Sequence, residues 1–105
     1  MTLRVEVSAA VLDRAHQRFG ATRSVDGRPS EYDFVSGPLA AALFAFKDFD
    51  ALSYDFTPSV RWYTVVDPIF GPVTFVGALL TGDVVEIVGY EDDPDYWARL
   101  DDIPD

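Results

Sequence analysis

Residues 60–90 read VRWYTVV, DPIFGP, VTFVGALL, TGD and VVEIVGY in succession. Three runs of β-branched and aromatic residues are parted by two groups of turn formers, the sequence pattern of an antiparallel meander. Asp67–Pro68 and Gly71–Pro72 bracket the first turn, and Gly82–Asp83 after Thr81 marks a short hairpin connection. The run Val73–Leu80 is apolar at successive positions, which predicts a central strand with both faces covered. The segments on either side are expected to pack on this sheet or extend its ends.

Upstream, Thr2–Val7 alternates Leu3, Val5 and Val7 with Thr2, Arg4 and Glu6, the period of a strand with one apolar face. Ser8 stands where an N-cap belongs. Ala9–Phe19 then places Val11, Leu12, Ala15 and Phe19 on one helical face and meets a stop at Gly20. Residues 21–30 (ATRSVDGRPS) read as a loop. Glu31–Val35 fits either a short strand or the lead-in to the next helix. Ser36, Gly37 and Pro38 predict a helix start, and Leu39–Phe46 is apolar on nearly every side, as a buried helix would be.

Phe49–Phe56 reads as a connecting loop or an edge strand, Glu91–Asp95 as the end of the sheet, and Tyr96–Leu100 as one helical turn. Residues 101–105 are acidic and are expected to form a frayed tail. These elements predict one α+β domain over residues 1–105: an N-terminal strand, two helices, then an antiparallel meander of three to four strands packed against them. An apolar edge strand at Val60–Val66 would be able to pair with a copy of itself, giving a homodimer.

A hydrophobic content of 49% sets the chain apart from disordered proteins. No apolar run nears the roughly 18 residues that a membrane span requires, and Glu6 and Asp13 interrupt any leader-like start. The absence of cysteine removes disulfides and thiolate metal sites, and makes the cytoplasm the default location.

The net charge of −10 is unevenly spread. Residues 1–28 hold five arginines against three acids, a balance of +2, whereas residues 29–105 hold three cations against fifteen acids, a balance of −12. Nucleic-acid affinity comes largely from Lys and Arg neutralising phosphates, so direct nucleic-acid binding is not expected. A protein partner of basic character is the better match.

No motif announces catalysis. The glycines are scattered rather than gathered into a phosphate-binding loop. His16 is the sole histidine, and it sits on a helix beside Leu12 and Phe19 with no serine elbow to serve. The run Glu91–Asp92–Asp93–Pro94–Asp95 is rich in carboxylates, but Pro94 divides it and no glycine follows, unlike a calcium loop. No metal and no cofactor are therefore expected. Arg14 and Arg18, four residues apart, form either a small basic patch with Arg23 and Arg28 or an ordinary wet helix face. The aromatic residues Trp62, Tyr63, Tyr90, Tyr96 and Trp97 gather in and after the meander, where an exposed subset would suit an interface. The residues expected to meet a partner are Arg14, Arg18, Glu91, Asp92, Asp93, Asp95, Tyr96 and Trp97.

The order strand, helix, helix, meander resembles the RelE/ParE superfamily, the toxin halves of bacterial type II toxin–antitoxin pairs. The resemblance rests on LRVEVSAAVLDRAHQRF (residues 3–19), GPLAAALFAF (37–46), and the block from VRWYTVV through GPVTFVGALLTGDVVEIVGYEDDPDYW (60–97). It implies a cytoplasmic protein made with a small antitoxin. Members that cut messenger RNA stabilise developing negative charge with cations. Of their positions, Arg61 matches a strand site that is often basic and Tyr96 matches a terminal tyrosine. Where the family commonly has His or Arg after the last strand, this chain has Glu91, Asp92 and Asp93. The resemblance therefore implies action by protein binding rather than RNA cleavage. The alternative is an acidic inhibitor or immunity-type protein that blocks a basic surface of its target.

Overall fold

A computed structural model of the chain describes residues 3–20 and 29–92. Strand β1 (Arg4–Val7) alternates exposed and half-buried residues, as its sequence predicts, and leads into helix α1 (Ala9–Arg18). Ser8 caps α1 by accepting a hydrogen bond from the Val11 amide on its Oγ at 3.3 Å. Val11 and Ala15 are buried on the inner face of the helix. The second helical segment opens at Ser30, earlier than Ser36–Gly37–Pro38. Ser30 Oγ accepts from the Asp33 amide at 3.2 Å while Asp33 Oδ2 accepts from the Ser30 amide at 2.8 Å, a reciprocal capping box. Glu31–Val35 is thus helical and not a strand, and α2 comprises Glu31–Phe34.

Pro38 therefore falls inside a helix. Its ring crowds the carbonyl four residues back and it has no N–H to donate, so the helix widens into a π turn over Val35–Leu39. Regular geometry resumes in α3 (Ala40–Ala45), and a tighter 3-10 segment, Phe46–Ala51, closes the run. The widened turn keeps Pro38 and Leu39 buried on the same side as Phe34 and Phe46.

The meander follows as β2 (Val60–Asp67), β3 (Gly71–Thr81) and β4 (Val84–Asp92), antiparallel in sequence order. β1 adds parallel to β4, giving a mixed sheet of order β1-β4-β3-β2 and an α+β fold. In the first turn Asp67 Oδ1 accepts from the amides of Ile69 (2.8 Å) and Phe70 (3.2 Å), and Gly71 takes φ 70° to enter β3. Residues 49–56 form no strand. They make one bridge, Ser53 to Trp62, so this segment is a connection that touches the β2 edge.

β3 is internal to the sheet as expected, but the described helices cover only one of its faces. Val73 and Phe75 are fully buried beneath the helices, while Thr74, Val76 and Ala78 on the other face are only half-buried. The core is a ring cluster: Phe34 lies 4.8 Å from Tyr90, 5.2 Å from Phe19, 5.7 Å from Phe70 and 5.9 Å from Phe75. No described helix is long and apolar enough to cross a membrane.

A side-chain contact joins α1 to α2. His16 Nδ1 lies 2.9 Å from Glu31 Oε2, and this hydrogen bond, followed by the charge of Glu31, raises the His16 pKa above 6.5. A raised folded-state pKa means that the pair stabilises the fold fully below pH 6.5 and loses this contribution as pH rises through the raised value. Nuclear magnetic resonance titration of the single histidine should give a pKa above 6.5 that falls back toward it in Glu31→Gln. A midpoint unchanged by that substitution would refute the contact.

Candidate partner-binding surface

Strand alternation divides the sheet into two chemically distinct faces. Toward the helices point Val73, Phe75, Val85 and Ile87, all buried. Away from them point Val60, Trp62, Thr64 and Val66 of β2, opposite Ala78, Val76, Thr74 and Pro72 of β3. Thr64 and Thr74 share a hydroxyl hydrogen bond of 2.8 Å at the centre of this open face. Beside it, Asp55, Phe56, Thr57, Val60, Arg61, Trp62 and Val76 line a groove of about 290 Å³. Phe56, at 98% exposure, stands almost free at its rim. The Trp62 indole N–H donates to Asp55 Oδ1 at 3.4 Å, a long bond that helps hold the groove wall.

Arg61 anchors this region from the opposite side of β2. Its Nε donates to the Pro58 carbonyl at 2.8 Å, and one terminal nitrogen reaches the carbonyls of Leu52 (2.8 Å) and Asp50 (3.1 Å). The guanidinium also stacks over Tyr54 at 4.6 Å and Phe49 at 5.3 Å. Arg61 thus latches residues 50–58 to the sheet edge, and most of its donor capacity is spent on main-chain oxygens.

A second cluster forms where α1 crosses the end of β4. Arg14 donates to the Tyr90 carbonyl at 2.6 Å and lies over the Tyr90 ring at 4.4 Å. Arg18 approaches Asp92 Oδ1 to 3.0 Å, and the Asp92 side chain is 4% exposed. The approach to Asp92 is off the N–H axis, so the attraction is that of an ion pair rather than a directed hydrogen bond. Burial raises the pKa of Tyr90, with Arg14 opposing the rise, and the Tyr90 hydroxyl has no partner among the described residues.

Of the residues singled out in the sequence, Arg14, Arg18 and Asp92 are brought together, but their polar groups face one another across the α1–β4 junction. Glu91 points to the open face, because neighbours on a strand point to opposite sides. Arg61 belongs to the far edge strand. Asp93, Asp95, Tyr96 and Trp97 lie outside the described residues, as do the 101–105 tail and the helical turn expected at 96–100. Sequence reasoning passed over Val76 and Phe56, and took Val66 only as the end of an apolar edge strand. The alternation of β2 carried the signal for Val66, but β3 has apolar residues at both parities and so gave no hint of which face lies uncovered. Among the described residues no three carboxylate or imidazole groups converge as a metal site would require.

No protein-family model, curated protein or solved structure matches the chain.

Proposed function

We propose that the chain acts by binding another protein in a toxin–antitoxin-type pair, and not by cleaving RNA. The observation that carries this reading is the sheet face left uncovered by the described helices, with Trp62, Val60 and Val66 exposed along one edge. Apolar groups on a strand edge, next to a groove, are the material of a protein interface. The residues matched to the family's chemistry support binding over cleavage. Arg61 is committed to three carbonyls. Glu91 and Asp92, which the resemblance matches to the family's place for cations, are the last two residues of β4, and carboxylates there raise the barrier to phosphodiester cleavage. Such a pair would work in the cytoplasm, in keeping with a chain that has no cysteine.

The competing reading, an acidic inhibitor that covers a basic surface, draws on Glu86 and Glu91, for which no ion pair occurs among the described residues. Inducible expression of the chain alone separates the two. A toxin-type protein arrests growth, and co-expression of the adjacent small reading frame restores it. Normal growth at high expression would overturn the toxin reading. Affinity capture from the native host at low and high salt then addresses the inhibitor, whose cationic partner should be lost as salt rises.

A further inference from the structure

Resting on the proposal that this chain binds a protein, we infer that the open sheet face receives a cationic amphipathic helix of that partner. Val60, Trp62 and Val66 on β2, with Val76 on β3, supply an apolar stripe; Val66 is 72% exposed. One strand further, β4 presents Glu86 and Glu91 on the same face. The cation on this face of the described sheet is Arg4 of β1, and Glu6 holds it at 3.2 Å. Apolar surface on one side, and on the other carboxylates with no ion pair among the described residues, call for a ligand with the complementary layout.

The dimensions select a helix. Adjacent strands lie about 4.8 Å apart, so β2 to β4 spans about 10 Å, close to the roughly 10–12 Å width of one helix with its side chains. A helix laid along the strands would rest its apolar stripe on β2 and β3 and its flank over β4. Glu86 and Glu91 are separated by roughly 15 Å at about 3.3 Å per residue, which corresponds to about three helical turns. Addition of a strand to the β2 edge is less suitable. The Trp62 amide already donates to Ser53 O at 2.9 Å, so an incoming strand would have only the stretch beyond Trp62. A second copy of the chain would set acidic face against acidic face.

The test uses the full chain, isotope-labelled, and three synthetic helical peptides. One carries an apolar stripe flanked by two lysines three turns apart; one has glutamates in their place; one is a scramble of the first. The lysine peptide should bind at least tenfold more tightly than the glutamate peptide at low salt, with resonance shifts centred on the Trp62 indole, Thr64 and Thr74. Raising the salt to about 0.5 M should erase most of that preference. The double variant E86K/E91K, its fold checked by thermal melting, should reverse the order of the two peptides. Equal affinities, scrambled-peptide binding of the same strength, shifts confined to α1 or α3, or self-association dissolved by Val66→Lys would each overturn the inference. A native partner retained by E86K/E91K would also overturn it while leaving the protein-binding function standing.

Discussion

Phe34→Ala is expected to destabilise the fold by about 3–5 kcal/mol, the range for removing a fully buried aromatic side chain. Phe34 is completely buried, and its ring meets Phe19, Phe70, Phe75 and Tyr90 at centroid separations of 4.8–5.9 Å. These neighbours come from the end of α1, the β2–β3 turn, β3 and β4, so one truncation loosens every layer at once. Rings held from four directions cannot collapse into the space, and the cavity cost adds to the lost transfer free energy. For a domain of this size the midpoint of thermal unfolding should fall by on the order of 20 °C. Phe44→Ala is the control: the side chain is 76% exposed, and the change should stay within about 0.5 kcal/mol. Chemical denaturation of both variants checks the contrast. A loss below about 1 kcal/mol for Phe34→Ala would mean that the helices do not dock on the sheet through this ring.

The alternation and turn residues of the C-terminal half made the meander legible, because period-two patterning and Gly–Asp turns depend on local stereochemistry alone. Ser8 and α1 were legible for the same reason. The start of the second helix was misplaced because Pro38 is a conventional opener, and the capping pair Ser30–Asp33 competed with it in the same stretch. A π turn that tolerates the proline depends on burial of Pro38 and Leu39 against the core, which no local pattern records. The parallel placement of β1 beside β4 was likewise invisible, since four residues pair with partners about eighty positions away.

The candidate surface was harder to read for a related reason. In the sequence, Arg14 and Arg18 look like free cations and Asp92 like one member of a solvated acidic run. Their meeting at the α1–β4 junction needs the helix to cross the end of the sheet, a tertiary fact. Charge layout thus bears on the sign of the proposed partner, and the exposed face on where that partner would sit. Only Glu91 is common to both.

Gly77→Ala should be destabilising by about 1–3 kcal/mol, the range for overpacking a filled core. This runs against strand propensity, because Ala normally gains about 0.5–1 kcal/mol over Gly inside a strand. A Cβ at position 77 would stand 2.5 Å from Phe46 Cε1 and 2.8 Å from Phe46 Cδ1. Phe46 is fully buried, so its ring has no free path of retreat, and either the 3-10 segment or β3 must shift. The pairing register slips between Val76 and Gly77, where β4 carries the unpaired residue Val88, so Gly77 lies opposite a β-bulge. Gly77→Val, with two more methyl groups, should cost more than Gly77→Ala. Gly89→Ala serves as the comparison, since a Cβ there meets no atom within 4 Å and its effect should be near neutral. The decisive measurement is a double-mutant cycle with Phe46→Leu. If the Cβ–ring overlap is the cause, shortening the side chain relieves it, and the double variant should retain at least about 1 kcal/mol more stability than the two single losses predict. Additive losses would assign the cost of Gly77→Ala to the backbone instead and would remove Phe46 from the account.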